Sequence, residues 1–329
     1  MGTLSMQDRI KGGLFGVAIG DALGGTTEFM TRAEVKRVHG YLTDIAGGGV
    51  WQLAPGEVTD DTMMTLGVAE GILAAPDDPA MAIGERFLAW YRTQPKDIGT
   101  IIRRVLGRYE GDWFEAALQA DLDLGQSAGN GSLMRCLPAA LAYPRLADVE
   151  RVSRMQSRMT HYDGRCDEAC VLYNRIAHRL LIGGAGLREA IRAEIAGSAY
   201  AGELDATAEP DCEPGGFVVH TFRWVVHLLL TSATFEEVVQ RAANLGGDSD
   251  TIAAIAGGLA GVHCGFAGIP ERYCSRILLR EKLADVSDRL AMLREEPGAS
   301  ASKRRRIDVC EWRRASDSRR CAGRIMLSG

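Results

Sequence analysis

Apolar residues recur at three- and four-residue spacing along nearly the whole chain. Ile10, Leu14, Val17 and Ala18 form one such set; Phe87, Leu88, Trp90 and Tyr91 form another. Val171, Ile176, Leu180 and Leu181, and then Phe222, Val225, Val226 and Leu229, continue the pattern. That spacing gathers each set on one helical face, and the alternation expected of a half-buried strand is almost absent. Many segments end at Gly or begin after Ser, Thr or Asp, the residues that close and cap helices. The pattern predicts about a dozen short helices and an all-α fold, as a single domain over residues 6–296.

Two of these helices are rich in Gly and Ala, over residues 12–25 and 251–261. Each interior Gly costs about 0.5–1 kcal/mol relative to Ala, so such helices persist only where their backbones approach neighbours closely. Close packing does not explain the acidic and hydroxyl residues gathered at the ends of the same helices.

Composition narrows the classes. The 329 residues are 46% hydrophobic and 25% charged, which excludes wholesale disorder and fibrous folds. No apolar run is long enough to span a membrane, and the first residues lack the basic and apolar regions of a secretory signal. The expectation is a cytoplasmic protein whose eight cysteines are reduced. Cys166 and Cys170, one helical turn apart, read as helix packing.

The net charge of −5 is uneven. Nine Lys or Arg against three acids give residues 301–329 a charge of +6, leaving −11 on the rest. An acidic body is a poor nucleic-acid surface, and no nucleic-acid partner is expected. The run Pro297–Ser302 reads as a linker, and residues 297–329 as a basic, disordered extension.

The acidic residues carry the chemistry. Thr59, Asp60 and Asp61 open an apolar-periodic helix, with Thr59 at the N-cap. Asp248, Asp250 and Thr251 open another nearly 190 residues later. One cap needs one oxygen; two helix starts with two carboxylates each read as halves of one site. No Lys or Arg lies within residues 56–70 or 242–271 to balance them. Hard oxygen donors without His or Cys suit Mg²⁺, Mn²⁺ or Ca²⁺, and the donor count suits two ions. Asp21, near the C-terminal end of its helix, reads as structural, and Glu28 as a loop carboxylate free to approach the ions. The small-residue loop Gly125–Arg135, leading into a helix over Leu133–Ala142, reads as a turn able to receive an anion. His161 is a loop histidine ahead of the helix over 165–182.

These motifs resemble the ADP-ribosylglycohydrolases, and look nearest to the bacterial dinitrogenase reductase-activating glycohydrolase branch. The resemblance rests on GGLFGVAIGDALGGTTE (12–28), GEVTDDTMMTL (56–66), GNGSLMRCLPAAL (129–141), SRMTHYDGRCDEAC (157–170) and NLGGDSDTIAAIAGGLAG (244–261). It implies an all-α orthogonal multi-helix bundle with two divalent cations, Mg²⁺ or Mn²⁺. Thr59, Asp60 and Asp61 match one metal-ligand set, and Asp248, Asp250 and Thr251 the other. Glu28 matches a glutamate beside the metals and the ribose. Asn130, Gly131, Ser132 and His161 fall where such proteins hold the diphosphate and ribose of ADP-ribose. Asp61 or Glu28 would take a proton from the attacking water. The implied activity removes ADP-ribose from a protein side chain, arginine first. The alternatives are O-linked serine, O-acetyl-ADP-ribose or nucleobase conjugates, a non-catalytic ADP-ribose-binding relative, and a dinuclear phosphohydrolase. Tyr162-Asp163-Gly164 departs from the proline-containing turn expected after His161.

Overall fold

The structure, a computed structural model, describes residues 4–295 apart from 184, 206 and 207. The basic segment from 297 onward, with the expectation attached to it, lies outside the described residues.

Among the described residues the chain forms fifteen α-helices and no strand. The first seven are α1 (Met6–Gly24), α2 (Arg32–His39), α3 (Asp60–Ala74), α4 (Ala80–Tyr91), α5 (Thr100–Arg108), α6 (Trp113–Leu124) and α7 (Pro138–Ala142). Then come α8 (Leu146–Arg158), α9 (Gly164–Ile182), α10 (Leu187–Ile195) and α11 (Val218–Thr231). The last are α12 (Phe235–Ala243), α13 (Ser249–Cys264), α14 (Glu271–Cys274) and α15 (Arg280–Glu295). A 3₁₀ turn covers Asn130–Ser132. None of the described helices is long and apolar enough to cross a membrane.

Caps set several boundaries. Ser5 accepts from the Asp8 N–H to open α1, and Asp112 accepts from Phe114 and Glu115 to open α6. Gly125, at φ 73°, closes α6. The helix expected over Leu133–Ala142 is shorter and starts later. Pro138 has no N–H to give a preceding turn and stands at the first position of α7, with Asn130–Ser132 as a separate tight turn before it.

The central feature is the antiparallel pair α1 and α13, the two Gly/Ala-rich helices. A Cβ on Gly12 would clash with the carbonyl oxygen of Gly261, one on Gly16 with that of Gly257, and one on Gly20 with that of Ala253. The reverse clashes hold for Gly257 and Gly261. Bare backbone on both sides is therefore a requirement of this seam, and α1 from Gly12 to Gly24 is buried on every face. Packing along the seam carries Gly24, at the end of α1, onto Ser249 and Asp250, at the start of α13.

Candidate active site

Asp21, in the last turn of α1, caps a different helix. Its oxygens accept from the Thr59 N–H at 3.0 Å and the Thr62 N–H at 3.1 Å. They also accept from the hydroxyls of Thr59 at 3.0 Å and Thr62 at 2.5 Å. The misplacement of a carboxylate at a helix C-terminus is resolved, since the charge serves the N-terminus of α3. Thr59 occupies the N-cap position but makes no side-chain cap of its own; its hydroxyl is a donor to Asp21.

The second acidic segment arrives through two glycines at positive φ, Gly246 and Gly247, which turn the chain into α13. Thr251 Oγ1 donates to Asp61 Oδ2 at 3.3 Å, so residues 190 apart in sequence touch. The starts of α3 and α13 therefore meet, with the end of α1 between them.

They meet at a cavity of about 620 Å³. Asp60, Asp248, Asp250, Thr251, Glu28, Asn130, Gly131 and His161 all line it. Three of the expected residues do not. Asp61 is fully buried behind the wall, and Thr59 is turned onto Asp21. Ser132 is buried with its hydroxyl against Ser157 at 3.2 Å and Cys170 at 3.6 Å, so its side chain faces the core. Cys166, one turn earlier in α9, reaches the Gly129 carbonyl at 3.2 Å, so this cysteine pair packs the loop.

Charge in the cavity is one-sided, with no Lys or Arg among the described lining residues. Burial, reinforced by neighbouring carboxylates, raises Asp60 to about 7 and holds Asp61 and Asp250 well above the usual carboxylate range. Burial raises Glu28 to about 7 even though the Trp51 indole N–H donates to its Oε2 at 2.5 Å. Asp248 is raised too, although the Asn130 amide donates to it at 2.5 Å.

Asp61 Oδ1 and Asp250 Oδ1 are buried with no hydrogen-bond partner. A buried carboxylate oxygen without a donor is costly, and a bound cation would supply the missing partner. The all-oxygen donor set and these orphaned atoms fit hard divalent cations.

Asp97 belongs to the cluster and escaped sequence reasoning. One carboxylate oxygen each from Glu28, Asp97 and Asp250 lie within 4.8 Å of one another. Burial and the neighbouring acids push Asp97 up to about 9. It stands alone in Pro95-Lys96-Asp97-Ile98-Gly99, with no paired carboxylate and three residues ahead of α5; the nearest sequence signal is Gly99, the N-cap of α5, which gives its N–H to Asp60 at 3.1 Å. Trp51, the partner of Glu28, was missed for the same reason.

At the other end of the cavity the Asn130 amide bridges Asp248 and Thr221. His161 Nδ1 lies 2.8 Å from Thr160 Oγ1, which accepts from the buried Arg135 guanidinium at 2.6 Å. Arg135 takes one lone pair of that oxygen, which leaves the Thr160 proton and a second lone pair to meet Nδ1. Burial and the Arg135 charge push His161 down to about 3, so the ring is neutral. Arg135 also bonds Gln156 and lies 4.5 Å over the Phe87 ring; it is a strut of the wall.

The chain matches the family model described as ADP-ribosylglycohydrolase over residues 3–300. It is 38% identical to ADP-ribosyl-[dinitrogen reductase] glycohydrolase of Rhodospirillum rubrum, across 83% of this chain and 91% of that one. It is 28% identical to the ADP-ribosylarginine hydrolase Tri1 of Serratia proteamaculans, across 88% and 80%. It is 24% identical to the ADP-ribosylhydrolase ARH3 of Homo sapiens, across 83% and 90%. A solved structure titled as an ADP-ribosylglycohydrolase-related protein complex superposes with a TM-score of 0.75 at 32% identity, covering 88% of this chain and 99% of that one.

Proposed function

Because the chain belongs to the ADP-ribosylglycohydrolase family and is a glycohydrolase of ADP-ribose conjugates, we propose that it cleaves the bond between ADP-ribose and an arginine side chain of a modified protein, using two divalent cations. The observation that carries the metal-dependent reading is the meeting of α3 and α13 at one acidic cavity, with buried carboxylate oxygens lacking any partner. Arginine linkage is supported by an acidic cavity suited to a cationic acceptor and by relatives whose names specify ADP-ribosylarginine.

Asp60, Asp61, Asp248, Asp250 and Thr251 would hold the cations, with Thr59 positioned through Asp21. Bound there, Mg²⁺ or Mn²⁺ would neutralise the carboxylates and act as a Lewis acid toward oxygen. The roles of the chain follow from placement. Asn130, Gly131 and His161 receive the diphosphate and ribose, His161 as a neutral ring. Ser132 contributes through its backbone, since its hydroxyl is spent on the core. Glu28 lines the cavity and Asp61 does not, so Glu28 is the better-placed acceptor for the proton of an attacking water. The bond from C1 of the ribose to the guanidine nitrogen breaks with its electron pair going to nitrogen. Water oxygen then bonds to C1, its proton passes to Glu28, and the departing group leaves as a neutral guanidine.

A cytoplasmic setting completes this reading, supported by free thiols at all six described cysteines. The test is release of ADP-ribose from an ADP-ribosyl-arginine peptide with Mn²⁺ or Mg²⁺. Asp250→Asn is expected to lower kcat/KM at least about 100-fold and to reduce bound Mn²⁺. Turnover that survives chelation, or release of AMP in place of intact ADP-ribose, would refute the proposal.

A further inference from the structure

Phe29, immediately after Glu28, takes φ 62°, a left-handed conformation disfavoured for a bulky side chain. Two hydrogen bonds hold it there: Phe29 N–H to the Gly247 carbonyl at 2.7 Å, and Gly247 N–H to the Met30 carbonyl at 2.8 Å. The strained residue is thereby locked to the turn that opens α13. The conformation gains no burial for the ring, which is 64% exposed. Strain maintained by surrounding structure at the mouth of a site, with nothing gained in packing, points to a task for the side chain.

The ring stands edge-on to Trp51, centroids 6.2 Å apart, and the Trp51 indole is tethered to Glu28. An aromatic pair therefore stands beside the carboxylate assigned to the attacking water, with Trp51 in contact with it and Phe29 against Trp51. Glu28 and Phe29 also line an adjoining cavity of about 340 Å³, so a group joined to a ribose held beside Glu28 would have Phe29 as a neighbour. Besides Glu28, the adjoining cavity has one acid and one base, Glu34 and Arg37. Five carboxylates (Glu28, Asp60, Asp97, Asp248 and Asp250) line the main site, with no Lys or Arg among the described lining residues. A planar delocalised cation suits both the exposed Phe29 face and those carboxylates. A neutral hydroxyl acceptor would use neither.

On the glycohydrolase reading above, we infer that Phe29, braced edge-on by Trp51, forms an acceptor-side platform that stacks a guanidinium and sets the preference for arginine over hydroxyl acceptors.

The test uses the full chain with Mn²⁺, arginine-linked and serine-linked ADP-ribosyl peptides, and agmatine as a guanidinium probe beside its neutral urea counterpart, carbamoylputrescine. Phe29→Gly removes the ring and relieves the backbone. It is expected to keep or raise Tm and to bind ADP-ribose within twofold of wild type. Its kcat/KM on the arginine peptide is expected to fall about tenfold, and inhibition by agmatine to weaken by a similar factor. Phe29→Tyr, which keeps the ring, restores both. Carbamoylputrescine is expected to inhibit neither protein. Undiminished cleavage of the arginine peptide by Phe29→Gly, equal inhibition by the two probes, or a wild-type preference for the serine peptide overturns the platform and leaves the glycohydrolase reading standing. A wild type that cleaves neither peptide overturns both.

Discussion

His161 shows how a single side chain reports its surroundings. Burial and Arg135 hold its folded-state value at about 3, below that of the unfolded chain near 6.5. Between those values the unfolded chain binds the extra proton, so stability is full above about pH 6.5 and is lost as pH falls toward 3. The difference in unfolding free energy between wild type and His161→Asn isolates this effect. It is expected to shift by about 2 kcal/mol between pH 7.5 and pH 5, read from urea denaturation at each pH. A flat difference would mean that the imidazole is protonated in the fold. Residues of this kind divide by how far their signal extends along the chain. The acids of α3 and α13 could be read because each helix start holds two carboxylates where one cap suffices. Asp97 could not, because its partners Glu28 and Asp250 are contributed by other segments and nothing local distinguishes it. Ser132 was legible as part of a small-residue loop, but the direction of its hydroxyl depends on Ser157, from a helix that the loop itself does not specify.

The α1–α13 seam is the element on which the site depends. Its glycines were legible as helix residues that must pack closely, and the structure shows each facing bare backbone. What the pattern could not supply was which helix each would meet, since both are apolar nearly all round and neither offers a single buried stripe. Helix boundaries were less legible where Pro138 divides an otherwise continuous apolar run. Gly16→Val would drive a branched side chain into the Gly257 carbonyl. It is expected to cost about 1–3 kcal/mol or more in stability and to reduce Mn²⁺ binding together with it, measured by denaturation and calorimetry. Loss of stability with Mn²⁺ affinity intact would show that the start of α13 is positioned independently of the seam.

At the scale of the whole molecule, a cage of carboxylates raised by burial and by one another is a source of instability that bound cations would offset. Ions that bind only the folded form at about 100 times their Kd add about 2.7 kcal/mol. Mn²⁺ is accordingly expected to raise Tm by about 5 °C or more over chelator-treated protein, followed by calorimetry. No shift would mean that the cage needs no cation. The seam has a further consequence for synthesis. A nascent chain that has emerged only as far as Ala243 holds Asp21, Glu28, Asp60, Asp61 and Asp97, while α1 still lacks the helix that covers its glycines. Until α13 leaves the ribosome, that apolar helix must be sheltered by transient contacts or a chaperone. No product of premature termination before residue 248 holds both acidic helix starts, so the cavity they form can be completed only late in translation.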